Sequence, residues 1–187
     1  MALADIIGAS LIAGMLILMM IGLTSSVTET STQQTLDVVA QESMTTLIRM
    51  IEYDFHKMGY QSIAGSAIVN MSSDSITFWS GIDTDGDGIS DGLNTITYQL
   101  SDTSTASSTP NPNDKFLYRT VGAATPVAVG LGVTDFGLEY FDEAGNVTAN
   151  TADVKAIGVS LDVQSTVDYD GEYSSAGWET MISPRNL

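Results

Sequence analysis

The chain has 187 residues, with 23 acidic side chains, 6 Lys or Arg side chains and no cysteine. This length suits one globular domain with an appended segment. The net charge of −17 argues against nucleic acid as a direct partner. The lack of cysteine excludes disulfides and thiolate metal sites. So acidic a surface is suited instead to water and to hard cations.

The first 24 residues form an apolar segment with one acid near its start. Residues 6–23 contain no charge and no proline, and they are long enough to cross a membrane as a helix. Asp5 needs a neutralising partner, because an acid at mid-membrane costs about 2.5–3.5 kcal/mol. No basic residue precedes Arg49, which is unlike a signal peptide and unlike an ordinary anchor. One hypothesis explains both: a basic leader was removed, and Met1 begins the mature chain. The alternative places Asp5 by chance at the membrane edge, near headgroup water.

Residues 25–59 are predicted to continue the same helix with an amphipathic pattern. Apolar residues recur there at spacings of three and four, which is the period of one helical face: Ala40, Met44, Leu47, Ile48, Ile51, Phe55 and Met58. We predict a single helix from near Ala2 to Met58, with Gly59 as its C-terminal cap. The apolar stripe of its second half is expected to pack on a globular partner.

Residues 60–187 change to the alternating pattern of half-buried strands. Five segments show it, at residues 75–79, 94–100, 115–119, 135–141 and 156–163. Turn-forming Gly, Asn and Asp residues between them indicate antiparallel pairing. The predicted fold class is therefore α+β, a long N-terminal helix packed on a C-terminal antiparallel sheet. Residues 101–114 are rich in Ser, Thr, Pro and Asn and are predicted to form an exposed loop.

Residues 83–94 resemble the front of a calcium-binding loop of the EF-hand kind. Carboxylates stand at loop positions 1, 3, 5 and 9, and a glycine stands at position 6. Strands rather than helices flank the loop, so we predict a calcium-stabilised turn between strands. The alternative is a solvated acidic hairpin loop without an ion. The predicted oxygen ligands are the side chains of Asp83, Asp85, Asp87 and Asp91, the carbonyl of Ile89, and Asn94 in place of the usual glutamate.

No pattern of catalytic residues is recognisable, so an enzyme is not predicted. His56 is the only histidine and is expected at the helix surface or end. The pair Asp142 and Glu143, followed by Ala-Gly, is typical of a turn between strands. Asn70 and Asn146 begin glycosylation sequons, a pattern too short to identify a modified site.

Taken together, these features resemble the type IV pilin superfamily, which includes the pseudopilins of type II secretion. The start Met1-Ala-Leu-Ala-Asp5 matches the family's mature N-terminus, with Asp5 in place of the usual Glu. Residues 48–60, 116–119 and 184–187 look like the larger minor pilins and minor pseudopilins. Two features depart from the family: Gly22 replaces a common proline, and the frequent C-terminal cysteine pair is missing.

The resemblance implies an assembly mechanism for the first residues. A prepilin peptidase would remove a short leader, and the new N-terminus would be methylated. Asp5 would then pair with the amine of Met1 in a neighbouring subunit. The pairing is one methylene shorter than with the family's Glu.

The resemblance further implies a structural subunit of an extracellular type IV pilus-like filament. Before assembly such a subunit is held in the inner membrane by its N-terminal helix, and the pilus assembly machinery then polymerises it into a homopolymer. One alternative is a minor pilin or pseudopilin that primes or tips a filament, or that serves type II secretion. An alternative of another class is a membrane-anchored, calcium-binding adhesion domain, in which Asp5 needs no partner.

Overall fold

The structure, a computed structural model, describes residues 2–62, 67–82 and 92–187. Helix α1 spans Ala2–His56 without interruption, and its 55 residues extend for about 82 Å at 1.5 Å per residue. The helix ends two residues before the predicted Met58, because the backbone continues in turns toward Gly59. Gly59 adopts a positive φ of 76°, as expected for a glycine that closes a helix.

In the described part of the chain, seven strands form one antiparallel sheet in which each strand pairs with the next along the chain. The five predicted segments all lie in strands, whereas the two edge strands were not predicted. A short 3-10 helix, Thr103–Ala106, precedes the fourth strand. The strands are β1 Ile68–Met71, β2 Ser75–Ile82, β3 Gly92–Leu100, β4 Lys115–Val121, β5 Val127–Phe141, β6 Ala156–Gln164 and β7 Ser175–Ile182.

The apolar stripe of α1 lies across β5, β6 and β7, and it covers the inner face of the sheet. All its predicted members are buried except Ile48, which is partly buried. Phe55 is the centre of this contact: its ring meets those of Phe78 and Tyr98 edge-on, at centroid distances of 5.5 and 5.9 Å. Burying a side chain of this size contributes about 1.5–3 kcal/mol. The predicted packing of helix on sheet is thus confirmed.

The loop of residues 101–114 is less exposed than predicted. Ala106, Asn111 and Asp114 are each buried, although most of their neighbours face solvent. The reason is a tertiary tether: the Asn111 Nδ2 donates to the carbonyl of Ser165 at 3.1 Å and to Gln164 Oε1 at 3.1 Å. These bonds draw the loop onto the end of β6. The loop is thus exposed over most of its length, as predicted, but these three residues are not.

Candidate functional site

The first half of α1 projects away from the sheet with no cover from the described residues. Between residues 5 and 39 no side chain is buried, and Ala40, at 2% exposure, is the first that is. The large apolar side chains of residues 6–23 are 52–72% exposed, on every side of the helix. A helix that is apolar all round is stable only in lipid or in an apolar protein core. By length and composition this helix can cross a membrane.

A band of Ser and Thr residues, residues 24–36, separates this apolar segment from the docked half of α1. Threonine hydroxyls in the band donate to the carbonyl four residues earlier, as Thr28 does to Thr24 at 2.9 Å and Thr35 to Ser31 at 2.8 Å. The hydroxyls are therefore satisfied within the helix, without a tertiary partner. Such bonds slightly weaken a helix and often bend it. This band, like the described part of the apolar segment before it, contains no buried side chain.

Contacts with the sheet begin where the band ends. The hydroxyl of Ser174, in the connection before β7, donates to the Asp37 carboxylate. About three turns further along, Leu47 lies so close to β5 that a Cβ added at Gly130 would come within 2.8 Å of it. A side chain at position 130 would require the end of the Leu47 side chain to move, so the glycine allows this close approach without a rearrangement. These contacts hold the second half of α1 on the sheet.

A buried ion pair fastens the other end of α1 to the sheet. The Arg119 guanidinium on β4 donates to both oxygens of Asp54, from Nε at 2.6 Å and from Nη2 at 3.1 Å. The hydroxyl of Tyr98 on β3 donates to the same carboxylate at 2.6 Å. The Asp54 side chain is 3% exposed and that of Arg119 is 25% exposed. One carboxylate thus joins the helix to two strands through charge-assisted hydrogen bonds.

The electrostatics of this network favour the ion pair. Hydrogen bonding to Asp54 raises the pKa of the Arg119 guanidinium, so that its positive charge is secured. Burial, followed by the charge of Asp54, raises the pKa of the Tyr98 hydroxyl far above its usual value of 10.0. The tyrosine therefore remains a neutral donor. This network is structural, because Asp54, Arg119 and Tyr98 hydrogen-bond with one another.

Asp54 was not among the predicted functional residues, although its position in the sequence carries a signal. Asp54 lies three residues after Ile51 and four before Met58, so it shares their apolar face. A carboxylate on a buried helical face requires a cationic or hydrogen-bonding partner. Its partner, Arg119, is 65 residues away in sequence, and only the sheet brings the two together.

Most of the predicted site residues lie outside the described part of the chain. This holds for Met1 and for five predicted calcium ligands, Asp83, Asp85, Asp87, Ile89 and Asp91. Asp5 is exposed in the first turn of α1.

The structure does place both flanks of the predicted calcium loop. Ile82, the last residue of β2, pairs with Gly92, the first residue of β3, so the loop connects two antiparallel strands. Asn94 lies on β3 opposite Ser80, with its Oδ1 beside Gly122. The calcium site itself, including the role of Asn94, stays a prediction.

His56 lies at a helix end and Asp142 in a turn, as predicted for both residues. His56 is exposed at the end of α1, next to Ser183 and Arg185. The Asp142 carboxylate accepts the backbone N–H groups of Ala144 and Asn146, at 2.9 and 2.8 Å. The Asn146 N–H in particular lowers the pKa of Asp142, as in an ionised turn residue. Within the described ranges, no three His, Asp or Glu side chains are grouped so as to hold a metal ion.

Comparison with known proteins identifies the architecture. No protein-family model and no curated protein matches the sequence. Among solved structures, a type IV-like pilin from Thermus thermophilus matches with a TM-score of 0.52 and 11% identity, over 79% of this chain and 97% of that chain. At this level of identity the likeness is one of fold. The predicted resemblance is confirmed at that level: the chain has the fold of a type IV-like pilin, a long apolar N-terminal helix on an antiparallel sheet.

Proposed function

We propose that this chain is a structural subunit of an extracellular type IV pilus-like filament. The observation that carries the proposal is the uncovered apolar half of α1, which continues into the half of the same helix that packs on a folded domain. So large an apolar surface requires either lipid or other protein around it. The fold of a type IV-like pilin supports a structural, non-enzymatic role in an assembly of this kind.

Assembly would move the apolar half from the inner membrane into a core of neighbouring helices. Burial of apolar area gives little driving force for this step, because lipid is as apolar as the helix. Close packing of small residues is the alternative source of affinity. Gly8, Gly14 and Gly22 provide it, since a Cβ added at any of them meets nothing within 4 Å in the isolated subunit. Contacts between different faces of identical subunits do not close, and they generate a fibre.

Asp5 would guide this assembly as half of an intermolecular ion pair. Its partner would be the amine of Met1 in a neighbouring copy, if Met1 is the N-terminus left by a prepilin peptidase. A carboxylate surrounded by apolar helices favours the one position in which an amine neutralises it. The pair would therefore set the register between adjacent subunits.

The β domain would form the acidic exterior of the filament. Calcium bound by residues 83–94 would fasten the β2–β3 connection, in a chain without disulfides. A net charge of −17 per subunit would make lateral association of filaments sensitive to salt and to divalent cations.

The test is electron microscopy of filaments sheared from the cell surface, with peptide identification of the subunit. We compare the native chain with Asp5→Ala, Asp5→Glu and the exposed-loop control Asp102→Ala. Asp5→Ala is expected to abolish filaments while the protein accumulates in the membrane. Asp5→Glu and the control are expected to keep them.

Two results would replace the proposal. If no strain makes filaments, and if Asp5→Ala leaves adhesion and surface display unchanged, the membrane-anchored adhesion domain would be supported. Filaments that contain only traces of this chain would support the minor pilin or pseudopilin.

A further inference from the structure

A buried carboxylate without a partner lies at the start of β4. Asp114 is 1% exposed, and neither of its carboxylate oxygens has a hydrogen-bond partner among the described residues. The neighbouring Lys115 does not neutralise it, because its ammonium donates instead to the carbonyl of Thr134 at 2.9 Å. A buried, unpaired carboxylate is strongly unfavourable unless another species compensates its charge.

The described surroundings of Asp114 contain more hydrogen-bond acceptors than donors. The hydroxyl of Thr109 is its polar neighbour, but that proton is directed to the carbonyl of Ala106 at 2.9 Å, with the carbonyl of Asn111 at 3.3 Å as a second acceptor. The Asn111 carbonyl in turn accepts the backbone N–H of Asp114 at 3.3 Å. Burial raises the pKa of Asp114. One hydroxyl proton thus serves several acceptor oxygens.

We propose that the turn formed by residues 109–114 binds a calcium ion through the Asp114 carboxylate, the Thr109 hydroxyl and backbone carbonyl oxygen, with water as the remaining ligands. Carboxylate, hydroxyl and carbonyl oxygens are the ligands that this hard cation prefers. A bound cation contacts several acceptor oxygens at once. Protonation of Asp114 would instead supply a single hydrogen-bond donor. Most of the covering loop faces solvent, so an ion has a short path to the site.

This site is separate from the predicted loop of residues 83–94. The two connections lie at opposite ends of β3, whose nine residues span about 30 Å. The role of the ion would also differ. It would hold the loop of residues 101–114 against the end of β6, where Asn111 already contacts Ser165.

The experiment measures the melting temperature of the full chain in detergent micelles, in excess calcium and in excess chelator. Asp114→Asn removes the charge with little change of shape, and Asp102→Asn is the exposed control on the same loop. In calcium, Asp114→Asn is expected to melt below the native chain, because it loses the bound ion. In chelator it is expected to melt above the native chain, because the unpaired charge is gone. Asp102→Asn should follow the native chain in both.

Calcium stoichiometry by calorimetry provides the second measurement, and Asp114→Asn should bind one ion fewer than the native chain. In a chain that already carries Asp85→Asn, in the loop of residues 83–94, Asp114→Asn should still lower the melting temperature in calcium and raise it in chelator. A shift of the same sign in calcium and in chelator would overturn the proposal. If Asp114→Asn does not fold, amide NMR of the native chain decides instead. Calcium should then move the signals of Thr109 and Asp114, and their constancy would also overturn the proposal.

Discussion

The ion pair between Asp54 and Arg119 predicts a large loss of stability from a small change. Asp54→Asn keeps the shape of the side chain but removes the charge that two charge-assisted bonds from Arg119 require. Breaking a buried ion pair by removal of one partner costs about 3–5 kcal/mol. We expect about 3 kcal/mol, the lower end, because Arg119 is 25% exposed and is partly hydrated. The Tyr98 hydroxyl can also still donate to the amide oxygen of the new side chain.

Denaturant unfolding of the full chain in detergent micelles measures this loss. Trp79 on β2 and Trp178 on β7 report the sheet by fluorescence. The exposed helical substitution Glu42→Gln is the control and should change the free energy of unfolding by less than about 0.5 kcal/mol. Tyr98→Phe, which removes one donor to the carboxylate, should cost about 1.5 kcal/mol.

A double substitution separates the ion pair from simple packing. Asp54→Leu combined with Arg119→Met replaces both charges by apolar groups of similar size. Such replacements are often neutral, so the pair should cost much less than either single change. A loss below about 1 kcal/mol in Asp54→Asn, or additive losses in the double variant, would refute the argument that this network fastens α1 to the sheet.

Three further substitutions test the packing, the helix end and one turn. Phe55→Ala should lower the free energy of unfolding by about 3–5 kcal/mol, because a fully buried ring leaves a cavity; a cost under about 1 kcal/mol would contradict this. Gly59→Ala should destabilise by about 1–3 kcal/mol, since φ is 76° and the new Cβ would lie 2.6 Å from the Asn186 carbonyl; thermal unfolding measures it. The pKa of Asp142 is lowered in the folded state, so its stabilisation exists above pH ~4 and is lost as the pH falls. Asp142→Asn should therefore show a smaller drop in melting temperature on acidification, and an unchanged pH profile would argue against it.

Local periodicity explains why the architecture could be predicted from the sequence. The uninterrupted apolar residues 6–23 and the stripe from Ala40 to Met58 define the two halves of α1 without reference to any other part of the chain. The second half of β5 and all of β6 alternate clearly for the same reason. Strand β1 is only four residues long and carries a bulge, so its alternation is too short to recognise. In strand β7 the apolar alternation is broken, because Thr180 lies on the inner side and the apolar Met181 is exposed on the outer side.

The sequence by itself determined the helix, the class of fold and the apolar surface that demands lipid or other subunits, because these depend on the spacing of neighbouring residues. The tertiary structure alone decided which charges are buried. Asp54 and Asp114 look like many other acids in a chain with 23 of them. Asp54 meets Arg119 only because strands that are distant in sequence pair. Asp114 has no hydrogen-bond partner among the described residues. Such burial depends on contacts between residues far apart in sequence, and no local pattern records them.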